Sequence, residues 1–171
     1  MLGPGRRPGP ELNLATGARR FVLPTAQDTH DLGVRLAALL RAGDLLVLSG
    51  PLGAGKTALV QGIGAGLGVQ GRVASPTFVI ARVHEPGRPD GLALVHVDAY
   101  RLGSLAEVDD LDLDVEAGNT VTAVEWGAGV AERLADAHLL IELARAADTD
   151  QRTALLRPHG GDWAQRLQQL G

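Results

Sequence analysis

Residues 45–57 read LLVLSGPLGAGKT. Leu45–Leu48 is a short apolar run between Asp44 and Ser49-Gly50 and reads as a buried strand. Ala58–Leu67 continues beyond the glycines as a helix. Between them, Gly50-Pro51-Leu52-Gly53-Ala54-Gly55-Lys56-Thr57 satisfies G-x-x-x-x-G-K-[ST] in the strand-to-helix setting that a phosphate-binding loop requires. Glycines let the backbone curl until successive N–H groups point inward at phosphate oxygens. The helix N-terminus behind them adds partial positive charge. Lys56 is the only lysine among 16 basic residues; every other one is arginine. A compact ammonium fits a narrow loop that a flat guanidinium does not. Gly50 to Ala58 is therefore the expected nucleotide-binding segment, with Lys56 on the terminal phosphates and Thr57 offering its hydroxyl to Mg²⁺. The guanine-reading motif of GTPases needs a second lysine, so ATP is the expected nucleotide.

Outward from the loop, strands alternate with helices. Arg20–Leu23 reads as a strand, and Pro24-Thr25 opens a helix with Leu32, Leu36, Leu39 and Leu40 at helical spacing. Val79–Val83 and Leu92–Val97 flank a turn, HEPGRPDG, as a strand pair. Ser104–Leu113 reads as an acidic helix or loop. Val121–Val124, Leu139–Leu143 and Arg152–Leu156 read as strands, and Asp162–Leu170 as a closing helix. The expected fold is α/β: a P-loop NTPase-like three-layer sandwich around a mixed, mainly parallel central sheet.

At 171 residues the chain has mass for one domain, assigned to 20–171, behind a Pro/Gly-rich tail over 1–19 read as disordered. Residues 1–20 carry four arginines and one acid, +3, which leaves −7 for the rest within the net −4. A core at −7 repels polyphosphate backbones, which argues against direct nucleic-acid binding. Cysteine is absent, excluding disulfides and thiolate metal sites. No apolar run approaches the roughly 18 residues of a membrane span. Arg6-Arg7 is followed by Pro-Gly-Pro-Glu rather than an apolar export segment, so the expected location is cytoplasmic. With 23 glycines in the chain, Gly62, Gly64, Gly66 and Gly68 read as a GC-biased helix end; no trio among them fits a dinucleotide fingerprint.

A P-loop needs a carboxylate for Mg²⁺, commonly at the end of a neighbouring strand. Leu92-Ala-Leu-Val-His-Val-Asp98 and Val121-Thr-Ala-Val-Glu125 are apolar runs that each end in an acid, on the rim where phosphates bind. One acid can serve the metal while the other positions a water.

The loop GPLGAGKT, then Ser75-Pro76-Thr77-Phe78, then His96-Val97-Asp98-Ala99-Tyr100-Arg101-Leu102, then Glu125-Trp126, resemble the TsaE family in order and spacing, from about Phe21 to Leu143. That resemblance implies a small P-loop ATPase needed for threonylcarbamoyl modification of the adenosine beside the tRNA anticodon. It implies TsaB and TsaD as partners, tRNA met only through their complex, and no membrane. It makes Lys56 and Thr57 phosphate and Mg²⁺ contacts, Asp98 the Walker-B-like acid and Glu125 the second metal-site acid. The catalytic set is then Lys56, Asp98 and Glu125, the metal set Thr57, Asp98 and Glu125, and Ser75 to Phe78 a switch-like loop. Thr25 and Thr29 stand where the family's N-terminal segment approaches adenine, or cap a helix. Trp126 lies near the nucleotide or covers the sheet edge. Tyr100 and Arg101 are phosphate or partner contacts, or surface groups. His96 shares the face of Asp98 and steadies the site, or is a core histidine. The run from Asp109 to Glu116 is a solvated face or a docking surface. Pro51 replaces an acid frequent in the family, and Gly-Ala-Gly after Trp126 lacks a proline many members carry. Two other classes stay open. One is a small-molecule P-loop kinase, whose arginine-bearing lid has Arg133 and Arg145 as nearest candidates. The other is a nucleotide-gated binding module with negligible turnover.

Overall fold

The computed structural model describes residues 17–74, 81–98, 118–125 and 135–171. In chain order these hold β1 (Arg19–Leu23), α1 (Ala26–Ala37), β2 (Leu45–Ser49), α2 (Lys56–Leu67), β3 (Ala81–His84), β4 (Ala93–Asp98), β5 (Thr120–Glu125), β6 (His138–Arg145), β7 (Arg152–His159) and α3 (Trp163–Leu167). The seven strands form one sheet in the order β1-β7-β6-β2-β5-β4-β3. The central four, β6, β2, β5 and β4, run parallel. β3, β7 and β1 add antiparallel at the edges. This is the mixed, P-loop-like α/β sheet expected from the alternation of elements.

β2 is apolar throughout because it is buried on both faces. Leu46 and Leu48 face the large core with Leu32, Leu36, Leu59, Ile63 and Trp163, so all three helices pack on that side. Leu45 and Val47 face a smaller cluster with Val97 and Val124. Among the described residues no helix lies on this second face, so the third layer of the expected sandwich is not among the described elements.

Several boundaries move. β1 starts at Arg19, one residue inside the expected tail, and Arg19 Nη1 donates to Leu167 O at 2.8 Å. β6 and β7 run longer than expected, because each pairs with the other along eight residues. β7 continues through Pro158, beyond the last residue paired to β1, so no ladder bond on that side needs its missing N–H. α3 is shorter than expected. After Leu167 the chain tightens into turns, with Gln169 N donating to Arg166 O and Leu170 N to Leu167 O. Arg166 anchors this end: it forks onto both oxygens of Asp44 at 2.7 and 2.9 Å, which ties α3 to the entry of β2.

The larger correction concerns the glycines of α2. Gly62 and Gly66 are not a compositional accident. A Cβ on Gly62 would lie 2.0 Å from the carbonyl oxygen of His30, and one on Gly33 would lie 2.3 Å from that of Leu59. The backbones of α1 and α2 touch, and only glycine admits that approach. Gly68 then closes α2 with φ 71°, a left-handed C-cap.

The expected helix or loop at 104–113, the acidic run at 109–116, residues 79–80, the switch-like Ser75, Pro76, Thr77 and Phe78, and Tyr100, Arg101, Trp126 and Arg133 lie outside the described residues, as do residues 1–16 of the tail.

Candidate nucleotide site

β2 ends in the middle of the sheet, flanked by β5 on one side and β6 on the other, and the chain turns back at once. Gly50, Gly53 and Gly55 take φ of 149°, 80° and 104°. Gly50 has a second reason to be glycine: a Cβ there would lie 2.4 Å from Leu143 O on β6. α2 begins directly after Gly55 with no side-chain cap and no acid in its first turn. The first N–H groups of a helix have no intrahelical acceptor, so this one presents donors and partial positive charge to the loop.

Lys56 is buried, and Nζ donates to two carbonyls of its own loop, Gly50 O at 2.6 Å and Pro51 O at 3.0 Å. Burial pushes its ammonium below the ordinary 10.5, while the charges of Glu125 and Asp98 pull the other way. Thr57 Oγ1 donates to Glu125 Oε1 at 3.2 Å. The two acids end adjacent parallel strands in register, Asp98 beside Glu125, with Glu125 also beside Leu48 of β2. Loop, lysine, hydroxyl and both strand-end acids thus meet at one end of the sheet.

Leu52, Gly53 and Gly55 to Ala58, together with Glu125 and Arg152, enclose a cavity of about 260 Å³. Three larger depressions exist among the described residues: one of about 310 Å³ beside α2, around His30, Gln61 and Arg72, one of about 280 Å³ past the end of α2, around Leu67, Gly87 and Arg88, and an open one of about 700 Å³ at the β6–β7 turn. None of the three brings a helix N-terminus, a lysine and an acid together, so chemistry rather than size selects the site.

The other expected contacts divide. Thr25 is a helix cap: its hydroxyl accepts from Asp28 N while its own N donates to Asp28 Oδ2 at 2.8 Å. That box also holds the Asp28 carboxyl below its usual range. Thr29 is fully buried, its Oγ1 has no hydrogen-bond partner, and its Cγ2 lies 3.3 Å from where a Cβ on Gly55 would be. Ala54 is buried beneath the loop, whereas Leu52 is 91% exposed above it. Arg145, the nearest lid candidate, pairs with Asp150 at 2.7 Å across the β6–β7 turn.

Arg152 was missed. It opens β7, yet its Cδ is 3.1 Å from the Cβ position of Gly55, and its buried Nε has no hydrogen-bond partner. No local signal marks it, because its nearness to the loop depends on β7 lying beside β6 and β6 beside β2.

A metal fits this set in one form only. Among the described residues no cluster of three or more His, Cys, Asp or Glu side chains is arranged to hold an ion. The donors available are a hydroxyl and two carboxylates. That sparse oxygen set suits Mg²⁺, which keeps several waters and takes the remainder of its shell from substrate phosphates.

The sheet order, the glycine loop at the end of β2 and the acids on neighbouring strand ends define a P-loop-like α/β protein. Comparison with known proteins narrows the class. Residues 23–154 match the family model of the threonylcarbamoyl adenosine biosynthesis protein TsaE, and the chain belongs to that family. It is 50% identical over 155 residues to the tRNA threonylcarbamoyladenosine biosynthesis protein TsaE of Mycobacterium tuberculosis, covering 87% of this chain and 92% of that one. It is 62% identical over 118 residues to the Streptomyces coelicolor protein of that name, covering 68% and 79%. The crystal structure of Bacillus subtilis YdiB superposes with a TM-score of 0.71 at 30% identity, over 90% of this chain and 93% of that one.

Proposed function

We propose that the chain binds ATP with Mg²⁺ at this loop and hydrolyses it in tRNA threonylcarbamoyladenosine biosynthesis, working with TsaB and TsaD in the cytoplasm. The observation that carries the reading is a single cavity shared by the N-terminus of α2, Lys56, Thr57 and Glu125. Among the described residues no helix is long and apolar enough to cross a membrane.

Each residue has a part. The N–H groups at the start of α2 bind phosphate oxygens, and Lys56 moves from its loop carbonyls onto the terminal phosphates. Thr57, Asp98 and Glu125 would hold Mg²⁺, whose bound form supplies charge neutralisation at the phosphates. Glu125 has one oxygen committed to His96, which leaves Oε1 to face the cavity and orient a water. Arg152 places a guanidinium beside Gly55 and provides a cation in cis. The negative core disfavours direct contact with tRNA, so stimulation is expected from proteins.

Calorimetry with Mg²⁺-ATP tests the site. In Lys56→Ala, loss of charge-assisted bonds should weaken binding by about 10- to 150-fold, and Lys56→Arg should also fail. Unchanged affinity in Lys56→Ala would remove the phosphate-cradle assignment. Phosphate release is then measured for the protein alone, with tRNA only, and with TsaB–TsaD. Slow release alone and a marked rise with the two proteins are expected. Full activity alone, unchanged by them, would overturn partner gating.

A further inference from the structure

His96 lies in the middle of β4 on the face that meets α2, and its side chain is fully buried. Its Nε2 is 2.8 Å from Glu125 Oε2, and a carboxylate only accepts, so Nε2 carries the hydrogen. Its other nitrogen, Nδ1, is buried with no hydrogen-bond partner. Among the described residues, Glu125 is thus the hydrogen-bond partner that accounts for this imidazole. A histidine that merely filled the core would be a poor choice there, because a bare buried nitrogen costs free energy that an apolar side chain would not.

The geometry at Glu125 is two-sided. Oε2 is held by His96 from β4, and Oε1 receives the hydroxyl of Thr57 from the first turn of α2. Glu125 itself is buried, so no solvent shell fixes its rotamer. His84 on β3 shares this face, opposite Leu94 where His96 is opposite Arg82, and hydrogen-bonds the backbone of Gln70.

We propose that His96 is the positioning residue of Glu125: it locks Oε2 so that Oε1 alone is presented to Thr57 and to whatever enters the cavity. The role rests on the nucleotide-site reading above. It extends that reading by giving the orientation of the acid to a side chain that does not itself touch the ligand. Without His96, Glu125 can rotate, and the productive arrangement becomes one of several.

Two measurements test this. The first needs no nucleotide. In ¹H–¹⁵N NMR spectra of the free protein, the His96 Nε2–H should give a protected downfield signal that shifts or disappears in Glu125→Gln. A signal absent from the wild type, or indifferent to Glu125→Gln, overturns the proposal. The second is a matched pair of variants, since His96→Leu risks the fold. Gln can place an N–H where Nε2 stands, and Asn is too short. With TsaB–TsaD present, His96→Asn should lower kcat for ATP hydrolysis by about 10- to 100-fold with KM for ATP within about threefold, the pattern of lost orientation. His96→Gln should recover kcat to within about fivefold. Equal loss in both variants, no loss in His96→Asn, or a loss confined to KM overturns the positioning role. A wild-type protein that neither binds nor hydrolyses ATP would instead remove the nucleotide reading itself, and the role of His96 in it.

Discussion

Replacing Gly62 by alanine puts one methyl group where two helix backbones meet. The new Cβ would lie 2.0 Å from His30 O, 2.8 Å from His30 C and 3.1 Å from the Cα of Gly33. All three are backbone atoms, so no rotamer change relieves the clash, and α1 has to move off α2 by about an ångström. Overpacking of this kind costs about 1–3 kcal/mol, and a backbone obstacle belongs at or above the upper end. Alanine returns about 1 kcal/mol of helix propensity. The net loss is about 2 kcal/mol, or a fall in Tm of roughly 4–8 °C for a chain of this size. Gly64, two positions beyond Gly62 in the same helix, is the internal control. Its Cβ would meet a methyl of Val73 at 2.7 Å, on an irregular segment that can yield. Gly64→Ala has the same propensity gain and should fall within about 1 kcal/mol of wild type. Urea unfolding followed by circular dichroism measures both, with an unchanged m-value showing that the same surface is exposed. Gly62→Ala as stable as Gly64→Ala would refute the claim that backbone contact between α1 and α2 demands glycine.

Three further outcomes are expected. Glu125→Gln should lower phosphate release by about 100-fold or more while ATP affinity shifts by less than about threefold, whereas Asp98→Asn should abolish the Mg²⁺ dependence of both; release unaffected in either variant would place the metal elsewhere. Arg152→Ala should weaken binding of a non-hydrolysable ATP analogue by about tenfold, the lower end for a charged hydrogen bond because the side chain is partly exposed; unchanged affinity by calorimetry would assign Arg152 to hairpin packing. Burial, with the guanidinium of Arg82 nearby, pushes the His84 imidazole below its ordinary 6.5, against the pull of its bond to Gln70. The unfolded chain then binds the proton first as pH falls below 6.5, so stability should drop through that window. His84→Gln should flatten the slope in pH-dependent unfolding, and an identical slope in both proteins would contradict a buried neutral His84.

Neighbours along the chain encode the loop, its lysine and hydroxyl, and the strand-end acids. The run Leu45–Leu48 could be read as a buried strand because both its faces are apolar, and Gly50, Gly53 and Gly55 as a loop because their dihedrals are ones other residues avoid. Lys56 and Thr57 follow from that loop, and Asp98 and Glu125 from apolar runs that each end in an acid. The tertiary structure alone decided how distant segments meet. Thr57 reaches Glu125 across 68 positions because β5 is the strand that pairs with β2. Arg152 reaches Gly55 because β7 returns antiparallel along β6. His96 became the holder of Glu125 only when β4 and β5 paired in parallel with Asp98 beside Glu125. Gly62 and Gly66 carried no local signal because the surface excluding a methyl belongs to α1, some thirty residues away. Backbone conformation is set by a residue and its immediate neighbours, so it can be read along the chain. Contacts between elements depend on strand order and helix approach, which minimise the free energy of the whole sheet.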